Sequence, residues 1–301
     1  METQGRIGNS EDKARALWFL CGLLFLFFLL VRVGRQASAL LEAAGLPLLA
    51  GLASPFLSCL SPFLLYFYFL RGEARRFFAL PTARGGREAL PLFPFLLAAV
   101  VASAYASHAL MGAFGLPVVG GGVRGEGFFS DLLTNALFPA FFEELFFRGA
   151  VLSILYRWQG KSAVWVSAIL FAFAHGSLYQ LPYAFVGGVF LALATVVSGS
   201  WVWAFVFHFG NNLFSLSLQY AEGLGEGAWI LAVVLYALVA LGAVAAAVYL
   251  LCDRSAGARG ALFELFATPR QDGARVLRAT LASPLVLYLC WMLYLMIMRC
   301  L

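Results

Sequence analysis

Apolar stretches of bilayer length, separated by short polar connections, dominate the 301-residue chain. A hydrocarbon core about 30 Å thick takes about 20 apolar residues to cross as a helix. Charge-free candidates lie at about 17–31, 46–70, 89–115, 128–156, 162–181, 183–199, 201–219, 228–252 and 281–298. They predict an all-α fold, a polytopic transmembrane helical bundle of about eight or nine spans. A membrane barrel would instead show short segments of alternating polarity. The first stretch is the shortest, but it lacks the small-residue cleavage site of a signal peptide and is read as a span. The chain divides into N-terminal spans with a basic loop over 1–127, a central core over 128–219, and C-terminal spans with a second basic loop over 220–301.

Composition narrows the class. With 62% hydrophobic and 12% charged residues, the chain is neither a water-soluble domain, for which about a quarter of residues are charged, nor a disordered polymer. The net charge of +5 is loop charge and implies no nucleic-acid partner; the partner it implies is the lipid bilayer. Fifteen of the 20 Lys and Arg fall in alternate connections: Arg6, Lys13 and Arg15; Arg71, Arg75, Arg76, Arg84 and Arg87; Arg157 and Lys161; Arg254, Arg259, Arg270, Arg275 and Arg278. Arg32, Arg35, Arg124 and Arg299 fall on the other side, so the positive-inside rule puts the N-terminus in the cytoplasm. The five cysteines form no CxxC pair and suggest neither a disulfide framework nor a thiolate zinc site. Pro47, Pro55 and Pro62 shape the second span, and no internal repeat of the transporter kind is visible. The basic stretch 253–280, with its amphipathic Leu262 to Phe266, is compatible with a segment lying on the cytoplasmic leaflet and equally with a solvated connection.

Ionisable groups inside a membrane are costly and mark function by default. They are few here: Glu143, Glu144 and Arg148 in the fourth span, His175 in the fifth, His208 with Asn212 in the seventh, and His108 in the third. At about 100° per residue, Glu144 and Arg148 lie roughly 40° apart and pair, while Glu143 lies roughly 140° from Arg148 and points elsewhere. Two neighbouring carboxylates in a low-dielectric medium supply a candidate general base. Phe171 lies one turn before His175, where it walls the imidazole. His208 and Asn212 share a face from which Asn211 turns away. Counting about 1.5 Å per residue brings Glu143, His175, His208 and Asn212 to similar depths, near or on the cytoplasmic side of the midplane. A carboxylate, two imidazoles and an amide at one depth are what peptide-bond hydrolysis needs: a water, a group to deprotonate it, and donors for an oxyanion. His108 reads as a packing or interfacial residue, and Asp131 with Asn135, one turn apart near the outer end of the fourth span, as capping or interfacial groups.

Glu143-Glu144-x-x-x-Arg148, Phe171-x-x-x-His175 and His208-x-x-x-Asn212 resemble, in this order, the motifs of the CAAX prenyl endopeptidase and bacteriocin-processing (CPBP, or Abi) intramembrane proteases. The resemblance covers 128–219, including the turn Ser198-Gly199-Ser200-Trp201 before the last motif. It implies a CAAX-protease-like core with a conical cavity open to the cytoplasm. Glu143 would activate water, His175 would assist, and His208 and Asn212 would stabilise the oxyanion, with Glu144, Arg148 and Phe171 in support. The implied partner is a membrane-anchored or lipidated protein substrate, of the CAAX type or with another C-terminal tail. No cofactor is favoured, because no HExxH occurs; zinc is the alternative, held by Glu143, His175 and His208. Two other classes stay open, a scaffold or bacteriocin-immunity protein that only binds in the pocket, and a proton-coupled transporter. The Arg-rich, Lys-poor chain points to a bacterial inner membrane.

Overall fold

The computed structural model describes residues 10–69, 86–118, 127–222, 228–252, 260 and 285–300. Every described element is helical, as lipid requires: with no water to satisfy backbone groups, an apolar segment must bond internally. In chain order the helices are α1 (Ser10–Ala43), α2 (Pro47–Phe69), α3 (Leu92–Ala113, preceded by the turn Gly86–Ala89), α4 (128–159), α5 (Ala163–Ala174), α6 (Leu181–Ser198), α7 (Trp201–Glu222), α8 (Ala228–Cys252) and α9 (Leu285–Met298). Each of the nine predicted stretches therefore carries a described helix, and the chain is an integral membrane protein. Five are long and apolar enough to cross a membrane by length and composition alone: α1, α2, α3 with its preceding turn, α6 and α8. The polar helices α4 and α7 are long as well, but they carry the embedded ionisable and amide groups.

Two expectations are corrected. The first span is not short: α1 continues through Arg32 and Arg35 to Ala43, since charges near a helix end can snorkel to the interface. The fifth span does not run to residue 181. It ends at Ala174, and His175 is its C-terminal cap, followed by Gly176 in the left-handed region at φ +64°. The basic stretch 253–280 lies outside the described residues, apart from Gly260.

Prolines shape the helices locally. Pro62 and Pro139 cannot donate to the carbonyls four residues before them, and wide π-type turns precede them at Phe56–Leu60 and Leu132–Leu137. A third wide turn, Leu145–Leu152, contains no proline but carries Arg148, whose carbonyl accepts a bond from the Ser153 hydroxyl five residues on, at 3.1 Å. The hydroxyls of Ser58, Ser107, Thr134, Thr195, Ser198 and Ser217 also bond back to carbonyls four residues earlier, so these polar side chains need no water inside the bundle.

The centre of the bundle is α6, with 67% of its span buried inside the protein against 11% for α8. It packs on α5, α3 and α7, while α4 lies between α7 and α2. Phe27 of α1 stacks on Phe146 at 5.1 Å and meets Phe147 edge-on at 5.5 Å, tying the N-terminal spans to α4. Close approach of α2 to α4 depends on Gly51, where a Cβ would land on the Thr134 side chain. Alanine at an uncrowded helical glycine is stabilising by about 0.5–1 kcal/mol; at Gly51 the overlap should reverse the sign, so that Gly51→Ala destabilises by about 1–3 kcal/mol. Gly22→Ala, whose Cβ meets nothing within 4 Å, is the matched control, and unfolding of both variants in detergent compares them.

Candidate active site

Three helices bring the embedded charges together. Glu144 and Arg148 are both fully buried on α4, with the carboxylate Oε2 3.0 Å from Nε in an ion pair whose angle falls outside hydrogen-bond geometry. The other carboxylate oxygen, Oε1, accepts from Nδ1 of His208 on α7 at 2.8 Å. Arg148 Nη2 donates to the carbonyl of Gly188 on α6 at 3.0 Å, and its guanidinium lies 4.4 Å from the centre of the Phe171 ring on α5. Burying a charge inside a membrane protein is tolerable only with such compensation.

Gly188 makes this possible sterically. A side chain there would meet Ala168 Cα at 3.1 Å and Phe171 Cδ1 at 3.2 Å, so glycine lets α6 approach α5 and deliver its carbonyl to Arg148. Phe171, expected only as a wall for His175, is a hub: its ring meets His175 edge-on at 4.8 Å and His208 at 5.7 Å, besides carrying Arg148. Neither Gly188 nor the wider role of Phe171 was foreseen. The Gly187-Gly188 pair in an otherwise bulky apolar helix was the available signal for the first.

The two imidazoles are held in defined tautomers. His175 Nδ1 lies 2.9 Å from the Phe171 carbonyl, which can only accept, so Nδ1 carries the proton and Nε2 keeps its lone pair unless a second proton binds. His208 likewise presents Nδ1–H to Glu144, leaving Nε2 for other work. Asn212 is half-buried one turn beyond His208. Its Oδ1 lies 3.4 Å from the Asn211 amide nitrogen, a long contact, so Asn211 does not turn fully away. Among the described residues no hydrogen bond engages the Asn212 amide N–H groups.

Glu143 behaves differently from its neighbour. It is half-buried, within electrostatic range of Arg148 and of Cys59 on α2, and among the described residues no hydrogen bond or ion pair joins it to either histidine. Glu144 is therefore the carboxylate committed to the cluster, and Glu143 lies beside it without such a bond among the described residues. Among the described residues, no three His, Cys, Asp or Glu side chains converge to hold a metal ion, so Glu143, His175 and His208 as placed do not form a ligand set. An aromatic wall flanks this region: Phe141 meets Trp201 at 5.7 Å and Phe205 at 5.6 Å, and Phe142 meets Phe56 at 6.0 Å.

The remaining polar residues lie elsewhere. His108 is exposed, its ring 6.5 Å from that of Tyr179. Asp131 is a fully buried acceptor, not a surface cap: Asn135 Nδ2 donates to it at 2.9 Å and the Tyr220 hydroxyl at 2.6 Å, fastening α4 to the end of α7.

Removing the positive partner of the buried pair leaves an uncompensated carboxylate, so Arg148→Met should destabilise the protein by about 3–5 kcal/mol. Adding Glu144→Gln removes that charge while keeping an acceptor for His208, and should recover most of the loss. Chemical unfolding in detergent micelles reads both, and equal instability of the single and double variants would contradict the pairing.

Residues 125–214 match the family of type II CAAX prenyl endopeptidases described as Rce1-like. The matched segment contains all three motifs and spans α4 to α7. No curated protein and no solved structure matches the chain.

Proposed function

From the similarity of residues 125–214 to the Rce1-like, type II CAAX prenyl endopeptidase family, we propose that this protein is an intramembrane endopeptidase acting on a membrane-anchored or lipidated protein near its C-terminal tail. The observation that carries the proposal is the contrast between adjacent glutamates: Glu144 is held in the Arg148–His208 cluster, while among the described residues no hydrogen bond or ion pair takes up Glu143. A general base must have a lone pair to offer, and Glu143 has it.

In this reading, Glu143 takes a proton from a water while His175 Nε2 accepts the water's other hydrogen and fixes its orientation. The water oxygen then bonds to the scissile carbonyl carbon. Negative charge develops on the carbonyl oxygen and is met by His208 Nε2–H and the Asn212 amide. His208 offers that hydrogen as an imidazolium balanced by the Glu144 carboxylate. Collapse breaks the C–N bond, and the proton held by Glu143 passes to the departing amine. No step is routed through a metal. The aromatic wall around Phe141 and Trp201 suits an apolar tail held in extended form beside the cluster. The arginine distribution supports a cytoplasmic N-terminus, and the Arg-rich, Lys-poor composition a bacterial inner membrane.

Glu143→Gln keeps size and removes the base. It should lower cleavage by about 10²–10⁴-fold with unchanged unfolding behaviour. Membrane-protein termini are compared by peptide mass spectrometry in cells lacking the protein and complemented with either form. Termini produced only by wild type identify the substrates, whereas identical termini from both forms, at equal expression, would refute the proposal and favour a binding scaffold.

A further inference from the structure

His175 sits where a helix is weakest. It is the cap residue of α5, its backbone N–H reaches Ala172 O at a long 3.3 Å, and Gly176 N–H bonds to Phe173 O at 3.1 Å, so the last turn is wound in the tight three-residue manner. The Gly176 φ of +64° then turns the chain away. Terminal turns of this kind fray unless their carbonyls find partners.

Just past the cap, the chain is held from 123 residues away. Arg299 Nη1 donates to the Gly176 carbonyl at 2.7 Å. Arg299 directly follows α9, which lies outside the segment matched to the family. On α9, Leu289 packs on the core and Met292 and Met296 are buried; with Arg299 they follow at intervals of three, four and three, forming one stripe. Met292 also approaches Gly176, its methyl 3.8 Å from where a Cβ would stand. The charge suits its place beside the partial negative charge of a helix C-terminus, although the carbonyl it binds, that of Gly176, lies just past the cap residue His175. Arg299 also lies within electrostatic range of Arg35.

Resting on the functional reading above, we propose that Arg299 is a positioning residue for His175: it clamps the carbonyl of the next residue, so the last turn of α5 stays wound and the imidazole stays at the reacting water. The last helix of the chain is thereby a working part of the catalytic site, not only an added span.

Three variants test this. Arg299→Met keeps the apolar stem and removes the donors; it should lower kcat by about ten- to a hundredfold, the cost of small misplacement of a catalytic group, with KM nearly unchanged. Arg299→Lys keeps a cationic donor and should recover most of kcat, which a role in packing alone would not produce. A readout independent of proteolysis is the rate of carbethoxylation of His175 in the folded protein in detergent, followed by mass spectrometry of the peptide that contains it. It should rise several-fold in Arg299→Met and return toward wild type in Arg299→Lys, while Gly22→Ala leaves it unchanged. Wild-type kcat together with wild-type labelling in Arg299→Met overturns the inference, as does failure of lysine to improve on methionine in either readout. If wild type shows no Glu143-dependent cleavage, the functional reading fails, and the labelling comparison still decides whether Arg299 holds the turn.

Discussion

A guanidinium and a carboxylate buried together in an apolar bundle constrain everything around them. Arg148 and Glu144 have no access to water, and in a medium of low dielectric each unmet hydrogen-bonding position is costly. Their needs are distributed over the bundle: α7 supplies His208 to the carboxylate, α6 supplies the Gly188 carbonyl, and α5 supplies the Phe171 ring face. Four helices are thus fixed relative to one another by one charge pair. The wide turn of α4 at Leu145–Leu152 and the glycine in α6 are the backbone accommodations that let the pair be met.

The same arrangement gives the two adjacent glutamates different surroundings. The Glu144 carboxylate lies against an arginine and an imidazole, whereas its neighbour, turned by one helical step, is half-buried and has no hydrogen bond or ion pair to them among the described residues. Two glutamates in sequence can do this because a helix turns about 100° per residue. One side chain anchors the fold, and the other faces a different environment. The histidines show a related economy, since each spends Nδ1 on a fixed acceptor, and this leaves Nε2 at a defined position.

The outer parts of the bundle contribute precision as well as span. Asp131, Asn135 and Tyr220 fasten α4 to α7 at one end, and Arg299 closes the turn after His175. Short polar clasps of this kind bring specificity to a bundle whose lipid-facing surfaces, such as that of α8, supply little, because lipid tails are as apolar as leucine.

The apolar runs by themselves determined the nine described helices, because a segment in lipid has no alternative to internal hydrogen bonding. The spacing of Glu144 and Arg148 determined their pairing, and the steps Phe171 to His175 and His208 to Asn212 determined which side chains share a face, since these are properties of one helix. Relations between helices were not legible. That Glu144 would hold His208, that Gly188 would meet Arg148, that Phe171 would touch three charged or polar groups, and that Arg299 would reach Gly176 all depend on how separate helices pack. Helix length was legible only in part: α1 outran its apolar stretch because arginine can snorkel, and α5 stopped short because Gly176 adopted a left-handed turn that an apolar run does not forbid. Periodicity within a helix is local and can be counted along the chain; contact between helices is set by side-chain volume, by glycine at close approach, and by the demand of buried charges for partners, which only the assembled bundle resolves.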